Sequence, residues 1–214
     1  MKLRNCGVLF LIPHIKIMIS EALLLEFGAR KLHVKKGEII FNEGDTPKYY
    51  YQIQEGEVKM NNFNDEGKEF IQGLFTSGRC FGEPPLFIDK PYPANAITTV
   101  DTDLYILLKE DFFTLLHANP DVNLAMSVNL SQRLYYKSVM ASEISSQDAE
   151  HRIITLIDYF KEIAGIKSSD KYKVTLTRQQ IADLTGLRVE TVIRAIKSLE
   201  KKSALLIKDR KIFR

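Results

Sequence analysis

The sequence predicts an α+β protein: an N-terminal antiparallel β-roll of jelly-roll type, a long central dimerisation helix and a C-terminal winged helix-turn-helix. Three observations carry this. Glycines recur at short intervals between β-branched and aromatic runs from Lys31 to Lys109. A stretch free of Gly and Pro then extends from Asp121 to Ala164. Finally, two short helical patterns joined through Gly186 precede a pair of brief apolar runs at the C-terminus.

In the first segment, Gly37, Gly44, Gly56, Gly67, Gly73, Gly78 and Gly82 punctuate the chain. The runs between them, Tyr49 to Ile53, Val58 to Phe63, Phe70 to Phe75, Ala96 to Val100 and Leu104 to Leu108, have strand composition. Asn42-Glu-Gly-Asp45, Glu55-Gly56 and Asn64-Asp-Glu-Gly67 are turn chemistry, in which Gly supplies positive φ. Short strands separated by such turns indicate an antiparallel sandwich or barrel.

Beyond Asn119-Pro120-Asp121 the period changes, with proline well placed near a helix start. Leu124, Ser127, Ser131, Leu134, Ser138, Ala141 and Ser145 then alternate in spacings of three and four. This heptad-like stripe of small and apolar residues lets a partner helix approach closely, as a homodimer seam does. A helix packed on its own roll would use the same pattern. A second amphipathic stretch, Asp148 to Ala164, places Ile153, Leu156, Ile157 and Phe160 on one face. Gly165 to Asp170 reads as a loop.

In the last segment, Thr177-Arg-Gln-Gln180 is a capping box, followed by Ile181, Ala182 and Leu184 as the apolar side of a short helix. Thr185-Gly186-Leu187 supplies the turn. The next helix, about Val189 to Lys201, turns Val192, Ala195, Ile196 and Leu199 inward and Glu190, Arg194 and Lys197 outward. Ala204 to Phe213, two apolar runs around Lys208-Asp-Arg-Lys211, fits a β-hairpin wing. A recognition helix meets base edges with its first turn. Arg donates to guanine and Glu accepts from cytosine. Val189, Glu190, Ile193 and Arg194 are therefore the candidate base readers, and Thr177, Arg178, Gln179, Thr191 and Lys197 the candidate phosphate contacts.

Charge supports this reading. The 214 residues carry 30 Lys and Arg against 27 Asp and Glu, a net of +3. Residues 171–214 alone hold twelve basic and four acidic side chains, whereas residues 1–170 hold eighteen and twenty-three. A basic end on an acidic body points to a polyanion at that end. The apolar content of 45% suffices for a core, and no apolar run approaches the roughly eighteen residues of a membrane span. Two cysteines, Cys6 and Cys80, give no disulfide framework and suggest a reducing compartment. Lys2 and Arg4 before Val8 to Ile12 resemble a signal peptide only faintly, because Pro13, His14 and Lys16 interrupt the run. The chain reads as cytoplasmic, with residues before about Ala22 unassigned.

A β-roll, long helix and winged helix in this order resemble the CRP/FNR family of bacterial transcription regulators. The residues that carry the resemblance are Gly37-Glu38, Asn42-Glu-Gly-Asp45, Phe81-Gly-Glu83, Asn119-Pro-Asp121, Thr177-Arg-Gln-Gln-Ile181 and Glu190-Thr-Val-Ile-Arg194. It implies a sensor domain over 1–120, a dimerisation helix over 121–146 and a DNA-binding domain over 147–214. It further implies double-stranded DNA as partner, a homodimer on a near-palindromic site, and RNA polymerase as an additional partner. Val189-Glu190-Thr191 looks more like the FNR branch, which suggests a TTGA-type half-site, although Ile193 stands where that branch has Ser.

Cyclic-nucleotide binders of the family use a Gly-Glu pair and, about ten residues later, an Arg-Ser pair whose Arg holds the phosphate. The matching candidate effector pocket here is Gly82, Glu83, Pro93, Ala94, Lys137 and Ser138. The side chains of Pro93 and Ala94 cannot pair with a phosphate, so cyclic AMP is not the expected effector, and the effector stays unknown. Lys137 is the one residue of the set able to supply a positive charge. The family's iron–sulfur sensor needs four cysteines, and none of His14, His33, His117 or His151 has a neighbour that marks a haem ligand. No cofactor and no metal are expected, and Cys80 is expected to be a small boundary residue. Two other classes compete. One is a small-molecule binding module whose basic domain engages another polyanion or a protein. The other, a cupin-type enzyme, would need clustered His ligands, and no His-x-His occurs.

Overall fold

The computed structural model describes residues 18–214 apart from residues 66, 68 and 147. The N-terminal reading, Cys6, His14 and Glu66 lie outside the described residues, as does the side chain of Ser145.

A short helix, α1 (Glu21–Glu26), opens the described chain, capped by the Ser20 hydroxyl. Just before it, the Gln52 side-chain amide accepts from the Ile19 N–H at 2.9 Å and donates to the Ile19 carbonyl at 2.8 Å. Strands β1 (Arg30–Val34), β2 (Ile39–Phe41), β3 (Tyr49–Glu55), β4 (Glu57–Phe63), β5 (Glu69–Thr76) and β6 (Cys80–Phe81) follow. Helix α2 (Pro84–Ile88) separates these from β7 (Asn95–Thr98) and β8 (Thr102–Leu108). They form two four-stranded sheets, β1-β8-β3-β6 and β2-β7-β4-β5, antiparallel throughout. Phe41, Ile53, Val58, Phe81 and Leu104 fill the space between them. The five expected strands are all present, with Ala96 to Val100 ending earlier, at Thr98. Strands β1, β2 and β6 went unanticipated for a physical reason. Only Val34 of β1 is buried, so no alternation marks it, and β6 has two residues.

The β3–β4 turn depends on Gly56, at φ +115°, because a Cβ there would fall 2.4 Å from the Thr102 hydroxyl oxygen. Helix α3 (Lys109–Ala118) closes the roll through Phe112 and Leu115, with Tyr50 stacked on Phe112 at 4.5 Å.

The long helix α4 (Pro120–Ser146) has two unlike faces. Met126, Asn129 and Met140 are buried on one face. On the other, Leu124, Ser127, Ser131, Leu134, Ser138 and Ala141 are all exposed, Leu134 by 69%. Helix α5 (Ala149–Ile163), capped by Asp148, then starts a separate core. It joins α6 (Arg178–Thr185), α7 (Val189–Lys201) and the hairpin β9 (Leu206–Lys208) and β10 (Lys211–Phe213). Ile153, Leu156, Ile157, Ile181, Val192, Ile196 and Leu199 are its centre. Ile71 and Leu74 of β5 also pack into this cluster, so the roll contributes a wall to the C-terminal core. Tyr136 of α4 stacks on Tyr159 of α5 at 3.5 Å, which ties the two helices across their junction. Among the described residues no helix is long and apolar enough to cross a membrane.

Candidate DNA interface and sensor cassette

The helix pair is set by its caps. The Thr177 hydroxyl accepts from the Gln180 backbone N–H at 3.1 Å, and the Gln180 side-chain Oε1 accepts from the Thr177 backbone N–H at 2.8 Å. This reciprocal box satisfies two of the N–H groups a helix start leaves open. Gly186, in the left-handed region at φ +70°, ends α6 and redirects the chain into α7. Val192, Ala195, Ile196 and Leu199 are buried, which rotates Glu190, Ile193, Arg194 and Lys197 into solvent on one face. Val189 and Thr191 lie half-buried at the start of that face.

Among the described residues, neither the Glu190 carboxylate nor the Arg194 guanidinium takes a hydrogen bond or ion pair. A surface Glu–Arg pair one helical turn apart would have engaged both. Both stand open to solvent.

The candidate phosphate contacts divide. Lys197 is exposed and unengaged, whereas three others already hold local structure. Thr177 caps α6. The Gln179 amide donates to Asp183 at 2.8 Å. Arg178 donates to the Arg210 carbonyl at 3.1 Å and so ties the start of α6 to the wing. The wing turn, with Asp209 and Arg210 both at positive φ, exposes Lys208, Arg210 and Lys211. Neither these nor Arg188, exposed at the N-cap of α7, were assigned a role from sequence. The signal was present, since the wing turn reads Lys208-Asp-Arg-Lys211.

The sensor cassette is built around Gly82, whose φ of +71° turns the chain from β6 into α2. A Cβ at Gly82 would lie 2.9 Å from the Phe41 ring and 3.2 Å from the Tyr92 ring. Those two rings stack at 3.6 Å and 10°. Glu83 is fully shielded from solvent, and Arg133 of α4 forms an ion pair with its Oε1. The same guanidinium donates to the Cys80 carbonyl at 2.5 Å and lies 4.9 Å from the centre of the Phe75 ring. Glu83 Oε2 is buried with no partner among the described residues.

Cys80 is not at a boundary: it is 1% exposed, its Sγ donating to Glu83 at 3.5 Å and accepting from the Asn129 amide at 3.6 Å. Burial, with the neighbouring Glu83 charge, pushes its thiol up to about 12. Of the other candidate pocket residues, Ala94 is buried, while Pro93, Lys137 and Ser138 are exposed. The Ser138 hydroxyl donates to the Leu134 carbonyl at 3.0 Å. The positive charge beside Glu83 thus comes from Arg133, one helical turn before Lys137. Sequence reasoning missed it because the partners are 50 residues apart and belong to different elements.

Comparison with known proteins agrees with this architecture. Residues 31–119 match the model of the cyclic nucleotide-binding domain, and residues 151–213 match that of the Crp-like helix-turn-helix domain. The cAMP-activated global transcriptional regulator CRP of Haemophilus influenzae is 29% identical over 195 residues, covering 90% of this chain and 84% of its own. The Cyclic AMP receptor protein of Thermus thermophilus is 26% identical, covering 86% and 82%. Among solved structures, the c-di-GMP responsive global regulator CLP of Xanthomonas campestris superposes with a TM-score of 0.69 at 25% identity, covering 90% of this chain and 98% of its own. CooA of Carboxydothermus hydrogenoformans, at 18% identity and a TM-score of 0.72 over 91% of this chain and 87% of its own, shares the fold. With a roll of the cyclic nucleotide-binding type, a long helix and a Crp-like helix-turn-helix domain in one chain, the protein belongs to the CRP/FNR family of transcription regulators.

Proposed function

We propose that this regulator is a cytoplasmic homodimer that reads a near-palindromic DNA site and does not use cyclic AMP as its effector. In this reading residues 1–120 sense, 121–146 pair two copies, and 147–214 bind DNA, with RNA polymerase as a further partner. Glu190 and Arg194 read bases, Val189 and Ile193 contact neighbouring base edges, and Lys197, Arg178 and Thr191 meet phosphates. The observation that carries DNA reading is the unengaged Glu190–Arg194 face on a helix with a fully buried opposite side. The exposed stripe of Leu124, Ser127, Ser131, Leu134, Ser138 and Ala141 supports the dimer. Two such helices would set their recognition helices in successive major grooves, about 34 Å apart.

For the sensor, the supporting observation is the Arg133–Glu83 pair. In nucleotide-binding relatives, as the family resemblance has it, the matching Glu takes a ribose hydroxyl. Here that carboxylate already has an internal cation, and the side chains of Pro93 and Ala94 offer a phosphate no charge. Fluorescence anisotropy on a palindromic TTGA-type duplex and a scrambled control tests the proposal. Sequence-dependent, salt-sensitive binding of ligand-free protein, unchanged by cyclic AMP, is the expected result. A cyclic AMP requirement would overturn the sensor reading. Salt-insensitive or absent binding would favour a module that engages some other partner.

A further inference from the structure

A cavity of about 400 Å³ opens on the roll beside β2 and β3, and none of the residues of the expected effector pocket lines it. Phe41, Tyr49, Tyr51 and Tyr92 supply aromatic walls, and Asp45 and Lys48 stand on its rim. The walls are tied down: the Tyr92 N–H donates to the Asp45 carbonyl at 2.9 Å, and the Gly44 N–H to the Tyr92 carbonyl at 2.8 Å. Three features are left unsatisfied or open. The Tyr92 hydroxyl is buried with no partner among the described residues. The Lys48 ammonium is exposed and forms no ion pair. The rim carboxylate, Asp45, instead folds back to accept from the Asn42 N–H at 2.8 Å, serving its own loop. Burial pushes the Tyr51 phenol up to about 12.

We infer that this cavity is an effector site for a small aromatic carboxylate. The ring would pack among the tyrosines, the carboxylate would pair with Lys48, and the Tyr92 hydroxyl would gain an acceptor after a small shift of its ring. Aromatic walls with a few convergent polar groups in a cavity of this size are the usual make-up of a small-molecule site. Occupancy has a route to the rest of the molecule. Phe41 and Tyr92 press on Gly82, the next residue is Glu83, and Glu83 is held by Arg133 of α4. The effector role, though not the binding itself, rests on the reading that the protein is a regulator without cyclic AMP.

The test is calorimetric titration of the full chain with benzoate and with phenylacetate, using cyclohexanecarboxylate and benzyl alcohol as controls. Either aromatic acid should bind, both controls at least tenfold more weakly. Lys48→Ala should weaken binding tenfold or more, Tyr92→Phe should weaken it several-fold, and Asp45→Asn should tighten it by removing a like charge. Lys48 is an exposed side chain, and circular dichroism of the variant checks that it is folded. No binding of either acid at about 10 mM, where even a millimolar affinity would register, overturns the inference. So does equal affinity in Lys48→Ala, or a cyclohexane acid that binds as well as benzoate. A parallel cyclic AMP titration keeps the outcomes apart. Cyclic AMP binding would defeat the sensor reading and leave the aromatic-acid result to stand or fall alone.

Discussion

Arg133 reaches from the central helix to pair with Glu83, a carboxylate with no exposed surface, and so joins the sensor cassette to the helix that leads to the DNA-binding unit. Removing one partner of such a pair leaves a charge without compensation in a buried site. Arg133→Met should therefore cost about 3 kcal/mol, the lower end for a buried pair because the Arg133 side chain is 21% exposed. Urea midpoints should show the loss, and adding Glu83→Gln should recover much of it. Two single variants whose effects simply add would mean the pair has no coupling of its own.

Arg194→Ala should reduce discrimination between the correct duplex and one changed at the contacted pair by about 1–3 kcal/mol. Lys197→Ala should weaken all sequences alike and flatten the salt dependence by about one phosphate contact. Equal losses for Arg194→Ala on matched and scrambled duplexes would remove it from base reading.

Leu124 and Leu134 are 54% and 69% exposed on a helix face that nothing among the described residues covers. Replacing both with Glu should leave the helical content intact and convert a dimer to a monomer in sedimentation, with DNA affinity falling sharply. A double variant that still sediments as a dimer would place the seam elsewhere.

Stability should fall in alkali, with Cys80 first. Its folded thiol titrates near 12, against an ordinary value of 9. A raised value means folding favours the protonated form, so its contribution is complete below pH 9 and is lost as pH rises towards 12. Between those limits the slope from this one proton is at most about 1.4 kcal/mol per pH unit. Denaturant unfolding of Cys80→Ala should show a shallower decline from pH 9, although the tyrosines, Tyr51 among them, then add their own above about pH 10. An unchanged slope would mean the thiol is not shielded.

Gly56→Ala should destabilise the roll by about 1–3 kcal/mol, because it adds strain at positive φ to a collision with Thr102. A thermal midpoint within about one degree of the parent would show that the β3–β4 turn can open to admit a methyl group.

The parts legible from sequence are those fixed by local chemistry. The Thr177–Gln180 box, the Gly186 turn and the Val192-Ala195-Ile196-Leu199 face are set within one or two helical turns. The outward face of α7 follows from them. What escaped depends on contacts between distant residues. Arg133 has no marking feature until α4 is laid against the cassette. Cys80 looked like a boundary residue because nothing nearby in sequence announces Asn129. Thr177 and Gln179, expected as phosphate contacts, have side chains engaged with their own helix. Helix α2 begins at Pro84-Pro85, since proline fits the first helical turn.

Ile71 and Leu74 both reach the C-terminal core although they are three residues apart on β5, and a regular strand presents alternate residues to one face. The irregularity lies at Met60 and Asn61, which pair with Gly73 and Ile71 and leave Gln72 opposite no partner. That single supernumerary residue reverses the facing of the strand partway along its length. The contact between the C-terminal unit and the roll thus rests on one extra residue in a hairpin. Because that extra residue is what puts Ile71 and Leu74 on one face, a register in which Gln72 paired regularly would turn one of the two away from the C-terminal core.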